Sequence, residues 1–160
     1  MLIDWRKEQQ AFFEDTLILS AGQQTTFMNR FINYSGTFII CLTALGILMV
    51  SVMAFSDPQS VMDLVQVKLP NTDAYSSIRG VYGGAGMTIF ITLIYLLFKN
   101  KLQGLAFVAL LCGFYSVSRI LTMVKDGALG SFGTNWMFIE GVMCAAALAL
   151  LLANRKLSRV

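Results

Sequence analysis

Residues 36–55 read GTFIICLTALGILMVSVMAF, twenty positions without a charge. A helix rises ~1.5 Å per residue, so about 20 apolar residues cover the ~30 Å of a bilayer's hydrocarbon core. Only helices and closed barrels keep their backbones hydrogen-bonded in lipid. A barrel strand alternates apolar and polar positions, whereas this run is apolar throughout. The stretch therefore predicts a transmembrane helix, and its neighbours have to be read with lipid as their solvent.

Working outward, three further apolar runs have the length of a crossing: 78–98, 105–124 and 135–152. Four crossings predict an all-α, integral membrane four-helix bundle over residues 34–153. Residues 1–33 precede it as a cytoplasmic or interfacial arm, and residues 154–160 follow as a basic tail. The arm mixes Trp5, Phe12, Phe13, Leu17 and Ile18 with charges and glutamines. It lacks the basic start, apolar centre and small-residue cleavage site of a signal peptide. An amphipathic helix lying on the membrane and an arm docked on a partner both fit it.

Composition agrees with the bundle. The 160 residues are 56% hydrophobic and 13% charged, with a mean hydropathy of +0.67. Soluble domains carry about 25% charge; a lipid-facing surface does not need that polar coat. The net charge of +3 is small and dispersed, so nucleic acid is not an expected partner. There is no histidine, which removes the commonest metal ligand and neutral-pH base. Cys41, Cys112 and Cys144 sit singly within apolar runs without a CxxC pair. They read as small hydrophobes, and neither a metal nor a cofactor is expected.

The links set the topology. Residues 99–104 join the second and third crossings tightly, predicting antiparallel neighbours. Residues 125–134, KDGALGSFGT, form a glycine-rich turn. In the 56–77 link, Asp57 before Pro58 has the pattern of a helix N-cap with proline in the first turn. A short surface helix is expected there, ended by Pro70. Lys and Arg number eight in the arm, the second loop and the tail, against Lys68 and Lys125 in the other two loops. The positive-inside rule then predicts an inner-membrane protein with both termini cytoplasmic.

Three charges lie within the apolar runs: Arg79 opens the second, Arg119 lies near the end of the third, and Glu140 lies near the start of the fourth. All three fall toward the outer end of the bundle. Asp126, in the turn after the third crossing, has the position to join them. Ser116, Arg119 and Asp126 share a helical face with Cys112. A lone ion in lipid costs several kcal/mol, and Arg119 with Glu140 as partner avoids that cost. Arg79 would then be available to an anionic or carbonyl group. The competing reading is a buried pair that only sets helix register. Tyr115, one turn from Arg119, fits either a polar or a packing role. Gly80 and Gly84 form a GxxxG pattern with Gly83 between them, which predicts close helix packing. Gly141, Cys144, Ala145 and Ala149 offer a similar small face in the fourth crossing. Trp136 and Tyr82 fit the membrane interface.

Arg79-Gly80, Gly83-Gly84, Arg119, Asp126-Gly127 and Glu140, in this order and spacing, resemble a bacterial four-helix membrane family. That family is catalogued as a domain of unknown function and stands loosely near the DoxX-like proteins. Thr122 stands where the family pattern has serine. The resemblance covers residues 36–152 and leaves out the N-terminal arm. It implies the four-helix architecture and the polar cluster, and it brings no activity.

Three functions are compatible with these residues. The first is binding of a small ligand or lipid head group at the outer polar cluster. The second is an accessory subunit of a larger membrane assembly, or a homo-oligomer, with helix faces as interfaces. The third is a DoxX-like oxidoreductase component or proton-coupled carrier. The third ranks last, because no nucleophile–base pair and no cofactor motif is visible.

Overall fold

In the computed structural model, residues 5–157 are described, with side chains from 26 to 155. Helix α1 spans Trp5–Ser56, α2 Pro58–Asp63, α3 Thr72–Ile78, α4 Gly86–Lys99, α5 Lys101–Lys125 and α6 Ser131–Leu157. A π-helical segment, Arg79–Ala85, joins α3 to α4 without a break. The described residues contain no strand. Four helical spans are long and apolar enough to cross a membrane: Thr26–Ser56, Thr72–Lys99, Lys101–Lys125 and Ser131–Arg155. The protein is a multi-pass, all-α membrane bundle.

Every crossing is longer than its apolar run. α1 extends without interruption from the apolar run back through residues 5–35; the arm's side chains up to residue 25 lie outside the described residues. The second crossing starts at Thr72, where the Asn71 side chain accepts from the Ala74 N–H. That cap, hidden in a polar stretch, carries the helix six residues beyond its apolar part. The expected 99–104 link shrinks to Asn100 alone. Its side chain accepts from the Gln103 N–H and starts α5, while its own N–H donates to the Leu96 carbonyl and ends α4.

The short helix in the first link forms as its sequence predicts at one end only. Asp57 caps α2 by accepting from Gln59 N–H at 3.0 Å, with Pro58 in the first turn. The helix ends at Asp63 rather than running to Pro70. Gln59 folds the following chain back over it: its amide nitrogen donates to Asp63 Oδ1 (2.7 Å) and to the Val67 carbonyl (2.9 Å), and its oxygen accepts from Leu69 N–H (2.9 Å). Val61 and Met62 pack with Ala54 in a small cluster beneath this cap.

Helix α1 is central. It packs against α4, the π segment, α5 and α6, while α5 and α6 lie along one another. Ile40, Leu93, Leu105 and Val108 are fully buried. Phe38, Leu45, Ile91, Phe98, Leu110 and Phe114 are exposed, as expected when the surroundings are hydrocarbon. Small residues set the helix spacing, because dispersion between closely approaching backbones drives association in lipid. A Cβ on Gly104 would lie 2.9 Å from Ile40 Cδ1, and one on Gly83 would lie 3.0 Å from the Phe55 ring. Gly86 sits directly against Ser51 of α1, whose hydroxyl is turned back onto the Ile47 carbonyl. Gly80 and Gly84 face open space within the chain. The close approach thus runs through Gly83 and Gly86, and not through the GxxxG pair. Gly80 and Gly84 share a face that meets no other part of the chain, while Gly83 and Gly86 turn toward α1.

Candidate functional site

Arg119 projects from α5 and Glu140 from α6. Arg119 Nε donates to Glu140 Oε2 at 2.7 Å, and Nη2 donates to Oε1 at 2.9 Å. This is a bidentate fork, the strongest geometry for a guanidinium and a carboxylate. Glu140 is 8% exposed. Because α6 begins at Ser131, Glu140 lies nine residues into its helix, or ~13 Å from its start. That is deeper than a helix beginning near residue 135 would place it. Arg119 lies six residues before the end of α5, ~9 Å down. The pair therefore belongs to the hydrocarbon-level part of the bundle, near the end that carries the Gly127 turn.

The fork uses two of the five guanidinium N–H groups. The remaining three, on Nη1 and Nη2, have no acceptor among the described residues. One turn before Arg119, the Ser116 hydroxyl is buried without a hydrogen-bond partner. It faces Gly141 of α6, where an added Cβ would lie 3.8 Å away. Most buried hydroxyls are paired, so this one marks unused polar capacity beside the ion pair. Below it, Cys144 Sγ donates to the Ala109 carbonyl at 3.3 Å and Cys112 is buried. Both cysteines serve α5–α6 packing.

Arg79 and Asp126 are elsewhere. Arg79 is exposed and donates from Nε to the Phe55 carbonyl at 3.4 Å. Phe55 stands in the last turn of α1, where carbonyls lack intrahelical partners and the helix dipole favours a cation. Arg79 thus closes the end of α1 rather than joining Glu140. Asp126 is exposed and forms the C-cap of α5, its N–H donating to the Thr122 carbonyl. Gly127 follows with φ +106°, a left-handed turn that glycine adopts without steric cost. Asp126 makes no ion pair among the described residues.

Two tyrosines lie within electrostatic range of the pair instead. Tyr115 and Tyr82 of the π segment are close enough to Arg119 to interact with it electrostatically. Sequence spacing gives no sign of Tyr82 as a neighbour of Arg119, because the two residues lie on different helices. Tyr115 also lines an open groove of about 480 Å³ along α5, with Phe107, Leu111, Phe114 and Ser118. Trp136 packs against Phe132, with ring centroids 6.2 Å apart. No group of metal-ligating side chains forms among the described residues.

Comparison with known proteins gives one positive result. The model of a family described as Domain of unknown function (DUF4345) matches residues 36–151. Neither the curated proteins nor the solved structures compared with this chain gave a match.

Proposed function

The chain belongs to the DUF4345 family, and from that premise we propose that it binds an amphipathic small molecule or lipid head group beside Arg119 and Glu140. The observation that carries this reading is the buried, partnerless Ser116 hydroxyl one turn from a guanidinium with three unused N–H groups. The hydroxyl and the guanidinium can both donate, so the matching ligand carries acceptor oxygens: a carboxylate, a phosphate or a polarised carbonyl. Glu140 offsets the arginine charge, and the site can therefore take a neutral acceptor as well as an anion. The apolar groove along α5, which ends at Tyr115 and Ser118, has the character to receive an acyl or isoprenoid chain. A register-only role for the pair accounts for the fork but not for Ser116.

The Lys and Arg distribution supports an inner-membrane orientation with the Asn100 turn cytoplasmic and this site toward the outer leaflet. Extraction from the native membrane in mild detergent, followed by native mass spectrometry, tests the proposal. The expected result is a co-purifying amphipath with acceptor oxygens. A double variant, Ser116→Ala with Tyr115→Ala, should lose it while the fold is kept. Absence of such a molecule from the native protein, or its full retention by the variant, overturns the reading. A discrete larger assembly with other proteins would point to an accessory subunit instead.

A further inference from the structure

A second polar site lies at the opposite end of the bundle, beside the Asn100 turn. Asn29, Arg30 and Asn33 of α1 face Lys101 of α5 and Asn154 of α6 across a groove of about 460 Å³. Its apolar wall includes Ile32 and Leu105, both buried. Lys101 Nζ donates to Asn33 Oδ1 at 2.6 Å, which joins α5 to α1 and holds the ammonium at the groove. Two of its three N–H groups are left over, and Arg30 has no carboxylate partner among the described residues.

The charge pattern of the described side chains around this groove is one-sided. Among the described side chains, the Asn100 end carries Arg30, Lys99, Lys101 and Arg155. The described carboxylates, Asp57, Asp63, Asp73, Asp126 and Glu140, all lie in links or helix halves toward the other end. Depth matters as well. Thr26–Ser56 is 31 residues long, whereas hydrocarbon takes about 20. Counting back from Ser56, the hydrocarbon boundary falls near residue 36, so Arg30 and Asn33 lie at head-group level. Lys101, the first residue of α5, reaches the same level from the neighbouring helix.

We infer that this groove holds the phosphate of an anionic phospholipid from the adjacent leaflet. Arg30 and Lys101 pair with the phosphate, the Asn29 and Asn33 amides meet its remaining oxygens, and the acyl chains run down past Ile32 and Leu105. Zwitterionic lipids fit less well, because their own cation would add to Arg30 and Lys101 at the groove. The site is independent of the Arg119–Glu140 cluster.

The test uses the full chain in mild detergent with dioleoyl phosphatidylglycerol, dioleoyl phosphatidylcholine and inorganic phosphate as competitors, read by native mass spectrometry. Each interfacial cation is worth about 5-fold toward anionic lipid, so the native protein should retain phosphatidylglycerol over phosphatidylcholine by about 25-fold. Arg30→Gln with Lys101→Gln should bring the ratio close to one. Arg30→Lys with Lys101→Arg should keep most of it, and Lys68→Gln, which removes an exposed cation in the link between the first two crossings, should leave it unchanged. Phosphatidylglycerol carrying a diazirine beside its phosphate should crosslink the unsubstituted protein within residues 29–33 or 101–105, a readout independent of how the variants fold. Parity between the lipids in the native protein, crosslinks confined to other segments, or a preference that survives the double glutamine variant each overturns the assignment. Displacement of the lipid by inorganic phosphate at equal concentration does so too, since it assigns the groove to a free anion.

Discussion

Arg119 of α5 and Glu140 of α6 are locked together by two hydrogen bonds of 2.7 and 2.9 Å, 21 residues apart in sequence. The fork makes both ions tolerable in an apolar bundle, and it ties together the two helices that share the longest contact. Breaking it from one side leaves an uncompensated ion. Glu140→Gln should therefore destabilise the protein by about 2–4 kcal/mol, measured by denaturant titration in detergent. Arg119→Leu in that background should recover part of the loss, because the stranded cation is gone. Additive effects of the two substitutions would mean that the pair contributes nothing as a pair.

Glycine positions separate into two classes. Gly86→Ala pushes a methyl group into Ser51, and forcing such contacts costs about 1–3 kcal/mol. Ser51→Ala in the same chain should relieve most of that cost, because the hydroxyl is the nearest atom. Gly84→Ala meets nothing within 4 Å and should be neutral or stabilising by up to about 1 kcal/mol. Thermal melts in one detergent compare the four proteins; equal midpoints for Gly86→Ala and Gly84→Ala would contradict the packing.

The Gln59 clamp makes a local prediction. Gln59→Ala removes two hydrogen bonds that hold Val67 and Leu69 over α2 and a third to Asp63 within that helix. Amide exchange there should speed up by an order of magnitude or more, at about 1 kcal/mol per bond lost. Exchange within α5 and α6 should not change. A uniform rise across the protein would mean that the link supports the whole bundle.

Orientation can be read by labelling. In a chain with its three cysteines replaced by alanine, Gln103→Cys beside the Asn100 turn should react only after a membrane-impermeant maleimide gains access to the cytoplasm. Gly130→Cys in the opposite turn should react in intact cells. The reverse pattern would invert the topology expected from Lys and Arg placement.

Much of this molecule is legible before any coordinates. Four apolar runs of crossing length force four helices, because lipid leaves the backbone no other hydrogen-bonding partner. The cost of lone ions in hydrocarbon already ties Arg119 to Glu140. Asp57–Pro58 announces the start of α2 by chemistry local to two residues. Each of these inferences needs only short-range pattern or an absolute penalty.

What the chain alone did not disclose depends on where distant residues meet. Arg79 looks like a member of the polar cluster, yet it closes the end of α1, since Phe55 presents a carbonyl with no helical partner. The GxxxG pair looks like the packing face, yet α1 packs against Gly83 and Gly86 instead. Ser116 becomes notable only because α6 buries its hydroxyl without offering an acceptor. Arg30 and Lys101 are 71 positions apart and meet only because α5 packs against α1. Hydrophobicity and backbone hydrogen bonding decide which segments enter the membrane, and they act along the chain. The direction each side chain takes inside the bundle is set by helix rotation and contact, and that is a property of the assembled fold.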